Sequence, residues 1–135
     1  MQPSTDEIHF AREAARGALP YADLIAGRFV DIAGALRDGR DQEALLALSD
    51  SADDLEHFLR FLILVQDSLV AASPDDGTAV RDYHERIVTI LESLQPALGH
   101  ADFVEVADAL EDDLAPSLRS YRNLDAAVRA ALAPT

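Results

Sequence analysis

The chain has no cysteine and no lysine. Lack of cysteine excludes disulfides, thiolate metal sites and a cysteine nucleophile, and makes the cytoplasm the expected setting. Lack of lysine leaves eleven Arg as the only basic side chains besides His, against 25 Asp and Glu, for a net charge of −14. A field of that sign repels nucleic-acid phosphates and anionic lipids, so neither nucleic acid nor a membrane is an expected partner. The missing lysine fits either a GC-rich genome or adaptation to high salt, where acidic surfaces are common. Long apolar runs are absent too: no segment reaches the ~18 residues of a spanning helix. Met1 to Thr5 carry no basic and apolar leader pattern.

Other absences concern fold and chemistry. No segment alternates with period two, and no Asn-Gly or Asp-Gly turn separates two β-branched runs, which argues against strands. There is no G-x-S-x-G elbow and no glycine-rich phosphate loop. The Glu-x-x-His pairs of a carboxylate-bridged dimetal bundle are missing. Asp6 with His9, and Asp54 with His57, have the i, i+3 spacing that lets two side chains reach one ion, but His57 points away from the apolar seam and both pairs read as solvated faces. The expectation is a protein with no metal, no cofactor and no catalytic role.

What the chain does contain is helical periodicity, within one domain over residues 1–135 that is large enough to bury a core. Ser4 with Glu7 forms a capping box, and apolar positions from Tyr21 to Leu36 carry a first helix to Gly39, with Pro20 expected to kink or break it. Asp41 is the expected cap of a second helix. There Leu45, Leu48, Ala52, Leu55, Leu59, Leu62, Gln66 and Leu69 step by alternating threes and fours, a heptad seam. Ser73 and Pro74 open a third helix, with Val80, Tyr83, Ile87, Ile90, Leu91 and Leu94 on its apolar face and Pro96 and Gly99 at its end. Asp102 with Glu105 caps a fourth, in which Pro116 removes the bond to the Asp112 carbonyl and predicts a kink. Gly27 and Gly34 share a face and predict close helix approach. Four such segments on short connections predict an all-α, elongated, antiparallel up-down four-helix bundle with proline kinks in its first and last helices.

Charge is divided along the chain. Residues 1–115 hold eight Arg against 24 acids, whereas 116–135 hold Arg119, Arg122 and Arg129 against Asp125 alone. The basic tail is expected to pack on its own acidic body.

The stretch "HFLRFLILVQDSLV", His57 to Val70, is apolar on nearly every side. Phe58, Ile63, Val65 and Val70 flank the seam. Phe61 and Leu64 align with His57 and Ser68 on the side away from it, an apolar pair that needs cover from a kinked helix end, a second subunit or a client. Two-fold pairing of this patch predicts a homodimer. The same stretch supports a rival reading, histidine phosphotransfer at His57, with Arg60 as the basic neighbour and Phe61 where a small residue leaves room around the imidazole.

Pro20, Gly39, Glu43, Ala44, Leu45, Ala107, Asp108, Leu110, Glu111, Leu114 and Pro116 resemble the pattern of an uncharacterised family of small bacterial helical-bundle proteins: a proline in the first helix, an "x-G-x-x-x-E-A-L" junction and a late "L-A-D-x-L-E-x-x-L-x-P" segment. The layout is also similar to flagellar export chaperones. The architecture and the second resemblance together imply a non-catalytic protein-interaction module, an adaptor or small export-type chaperone.

Overall fold

The structure, a computed structural model, describes residues 5–132, the side chains of residues 5–8, 10, 11, 71 and 72 excepted. Three long helices are followed by a segmented fourth arm: α1 (Thr5–Arg37), α2 (Asp41–Ala72), α3 (Pro74–Gly99), then α4 (Phe103–Asp108), a π-helical turn (Ala109–Leu114), α5 (Ala115–Arg119) and α6 (Arg122–Leu132). At 1.5 Å per residue α1 is about 50 Å long, so the four antiparallel arms make an elongated bundle.

The helix ends follow local chemistry, with three departures. Gly39 adopts φ +80° and closes α1, a conformation that a side chain resists. Asp102 accepts a hydrogen bond from the Glu105 backbone N–H at 3.2 Å, as its capping position predicts. Asp41 is not a cap: Arg40 occupies that position and Asp41 is the first helical residue, where its charge favours the dipole instead. Ser73 precedes α3, but its hydroxyl donates to Asp76 rather than accepting from the backbone. Pro96 lies inside α3, which ends at Gly99. The Ser4–Glu7 box falls outside the described residues. Gly27 and Gly34 do not mark close approach, since a Cβ on either meets nothing within 4 Å; at Gly77 a Cβ would lie 3.4 Å from the Val70 backbone nitrogen, so α3 starts tight against the end of α2.

Half of the heptad seam of α2 is rotated. Leu55, Leu62 and Leu69 are fully buried and Leu48 packs on the core, but their alternates are Ala44, Ser51, Phe58 and Val65, each one residue before Leu45, Ala52, Leu59 and Gln66. That displaces these four positions by about 100° around the helix. The cause is packing on two sides: α2 meets α1 on one flank and α3 on the other, and α6 also reaches it. A two-helix seam has only one neighbour to face.

Prolines act differently in the first and fourth arms. α1 runs unbroken through Pro20, whose missing N–H leaves the Arg16 carbonyl without its helical donor. Arg129 of α6 donates to that carbonyl at 3.5 Å. In the fourth arm the Ala115 N–H bonds to Leu110 O, five residues back, just before Pro116, and a turn at Ser120–Tyr121 then separates α5 from α6. The last helix is bent at these points, and its segments wrap along α1. The small residues Ala15, Ala18, Ala22, Ala26 and Ala33, all buried, let that wrapping be close. Arg12 Nε donates to the Leu132 carbonyl and Arg122 pairs with Asp23 at 3.6 Å, so the basic tail does pack on the body of the protein.

Candidate functional site

All three tyrosines lie in one aromatic cluster with Phe58 and Phe61. Phe58 sits at its centre, with ring centroids at 6.4 Å from Tyr21, 6.3 Å from Phe61, 6.4 Å from Tyr83 and 5.5 Å from Tyr121. The edge-on geometry of three of these pairs is the favoured one for rings with negative faces and positive edges. The cluster ties α1, α2 and α3 to the Ser120–Tyr121 turn. Tyr83 donates to the Leu118 carbonyl at 3.0 Å, whereas the buried Tyr121 hydroxyl has no partner among the described residues. Burial holds the phenols of both Tyr83 and Tyr121 well above the ordinary tyrosine range. Tyr21, at the α1 edge, is raised too, first by burial and then by Asp54, whose carbonyl accepts its hydroxyl at 3.1 Å.

Beside this cluster a groove of about 610 Å³ opens between α1 and α2. The small residues Ala14, Gly17 and Ala18 of α1 face Phe58, Phe61 and Leu64 of α2, with Tyr21 at one end. The trench exists because small side chains stand opposite large ones: a Cβ on Gly17 meets nothing within 4 Å. Its rim is polar, formed by Glu13, His57 and Arg60, and Arg60 is paired with Glu56 at 2.7 Å. An apolar trench with a few polar rim groups is the general form of a docking site.

Three of the four residues singled out from the sequence meet here. His57 is exposed on the rim, and Leu64 is half-buried in the wall. Phe61 does not project into solvent: it is 7 % exposed and stacked on Phe58 at the α1–α2 junction. The physical reason is the rotated stripe, which turns the Phe61 side of α2 toward α1. Ser68 is half-buried, donates to the Leu64 carbonyl at 3.2 Å and does not line the groove. The exposed apolar side chains of the stretch are instead Ile63 and Val70. The α1 wall was missed in the sequence reading, although Ala14, Gly17, Ala18 and Tyr21 follow i, i+3, i+4, i+7 spacing, the signature of one helix face.

No group of three His, Asp or Glu converges to hold a metal ion among the described residues. Asp54 is engaged by Arg28, so its pair with His57 is not assembled as a site; the Asp6–His9 pair lies outside the described residues at its Asp6 side chain. No described helix is long and apolar enough to cross a membrane.

No curated protein and no solved structure matches the chain. Residues 13–124 match the family described as Domain of unknown function (DUF8042), a span that includes both walls of the groove, the aromatic cluster and the fourth arm as far as the start of α6. The match covers most of the chain, which therefore belongs to the DUF8042 family.

Proposed function

We propose that the protein is a non-catalytic interaction module, an adaptor or export-type chaperone, whose α1–α2 groove takes the apolar face of an amphipathic helix from a partner. The observation that carries this reading is the groove itself, with its aromatic and aliphatic wall and its floor of small residues. Glu13 to Tyr21 rise about 12 Å along α1, a little over two helical turns, which suits two or three large side chains at i, i+3 or i+4 of a docked helix. The net charge of −14 steers a helix with a basic polar face toward it and opposes a second copy of the same chain. Self-association through Phe61 and Leu64 is therefore one outcome of the test.

The test uses synthetic amphipathic helices with Leu and Phe on one face and Lys on the other, followed by fluorescence anisotropy. Gly17→Met fills the trench from its floor, where there is room, and replaces a mid-helix glycine with a better helix former. Peptide affinity should fall at least tenfold while the melting temperature holds or rises. Equal binding by both proteins would show that charge alone attracts the peptide, and would overturn the groove assignment. Dimeric light scattering abolished by Gly17→Met would make a second copy the occupant. The phosphotransfer reading retains one supporting observation, the exposure of His57 beside Arg60 on the rim. Label transferred from a phosphoryl donor to the wild type and not to His57→Gln would select it over the interaction module.

A further inference from the structure

At the end of the bundle where α6 meets α1, a second cavity of about 430 Å³ is lined by Arg12, Arg16 and Arg129 with His9 and a single carboxylate, Glu13, over Ala15 and Leu132. Three guanidiniums around one cavity are conspicuous in a chain with eleven Arg and 25 acids. Arg28, Arg40 and Arg60 have carboxylate oxygens at 2.5, 3.2 and 2.7 Å, and Arg81 and Arg122 at 3.5 and 3.6 Å. Around the cavity the pairs are long, 3.9 Å for Arg16 with Glu13 and 3.8 Å for Arg129 with Asp125, and Arg12 has no carboxylate partner among the described residues.

Two of the three guanidiniums are anchored by backbone carbonyls instead. Arg12 caps the last carbonyls of α6 through Leu132, and Arg129 takes the Arg16 carbonyl that Pro20 sets free. Each anchor uses one of the five N–H donors of a guanidinium, so the remaining donors stay available while the heads are held in place. Arginine does not relieve the repulsion of neighbouring like charges by losing its proton, as lysine does. The planar forks suit an oxyanion bonded by two parallel N–H groups, and three of them match a dianion better than a single carboxylate.

We infer that this cavity is a binding site for a phosphoryl dianion, carried by a small phosphorylated molecule for which the cavity leaves room beyond the phosphate. The site adjoins the α1–α2 groove, with Glu13 on the edge of both, and neither requires the other. The structural alternative is that the three arginines only clamp α6 to α1.

The test is thermal unfolding of the full chain in sodium phosphate and in pyrophosphate, each matched in ionic strength with NaCl, with acetate as the carboxylate arm. Wild type should gain melting temperature saturably with phosphate and pyrophosphate through the millimolar range and gain nothing with acetate. Arg16→Gln is the chosen variant, because its side chain is exposed and makes no bond to α6, so the fold and the melting temperature in NaCl stay unchanged. It should lose most of the phosphate increment, whereas Arg81→Gln on α3 should keep it. Phosphate also stabilises proteins generally by exclusion from their surface. An increment equal in wild type and Arg16→Gln would therefore assign the effect to exclusion and overturn the site, as would an equal gain from acetate.

Discussion

Alkaline unfolding of this protein should be a tyrosine event. Most proteins titrate lysine, cysteine and tyrosine together above pH 9, but this chain has neither lysine nor cysteine, and its arginines stay charged. Tyr83 and Tyr121 are buried, and their folded pKa values are raised above the unfolded value of about 10. The folded state thus holds its phenolic protons more tightly than the unfolded chain does. Stability from this source is fully present below about pH 10 and is lost as pH rises from there toward the folded values. Within that window each tyrosine removes about 1.4 kcal/mol per pH unit, so the pair removes about 2.7. From pH 10 to 12 the loss is about 5 kcal/mol, the whole stability of a domain at the low end of the usual 5–15. Far-ultraviolet circular dichroism against pH, with tyrosinate absorbance recorded on the same samples, should show the helix signal and the phenols changing together. Tyr121→Phe should be neutral or slightly stabilising at pH 7, because its hydroxyl is buried without a partner, and should roughly halve the alkaline slope. Full ionisation near pH 10 with intact helix would refute the burial of the cluster. An unchanged slope in Tyr121→Phe would remove that residue from the account.

The remaining predictions address packing, capping and charge. Phe58→Ala should destabilise by about 3 to 5 kcal/mol in urea unfolding, and Leu59→Ala by clearly less; the reverse order would restore the unrotated seam. Asp102→Ala should cost about 1 kcal/mol through the lost cap, whereas Ser73→Ala, whose hydroxyl caps no backbone N–H, should cost less in the same assay. The melting temperature should rise between low salt and roughly 1 M NaCl as repulsion among the acids is screened, and a flat or falling curve would remove high-salt adaptation as a reason for the missing lysine.

The helices and most of their ends were legible because they depend on neighbours in sequence: apolar spacing of three and four, Gly39 at a positive φ, Pro74 at a first turn, Asp102 three residues before Glu105. The basic tail was legible as a partner of the acidic body for a similar reason, since charge imbalance is visible in composition. The phase of the α2 stripe was not. Leu48, Leu55, Leu62 and Leu69 belong equally to a seam completed by Leu45, Ala52, Leu59 and Gln66 and to one completed by Ala44, Ser51, Phe58 and Val65, and only the positions of α1, α3 and α6 choose between them. That choice turned Phe61 from an outward residue into a buried one. The groove and the arginine cavity are further still from local rules. Each needs residues about 40 or about 110 positions apart to meet, Gly17 with Phe61 in one and Arg16 with Arg129 in the other. Side-chain size and charge are written in the chain, but which small residue faces which large one, and which carbonyl receives which guanidinium, is set by the register of packed helices.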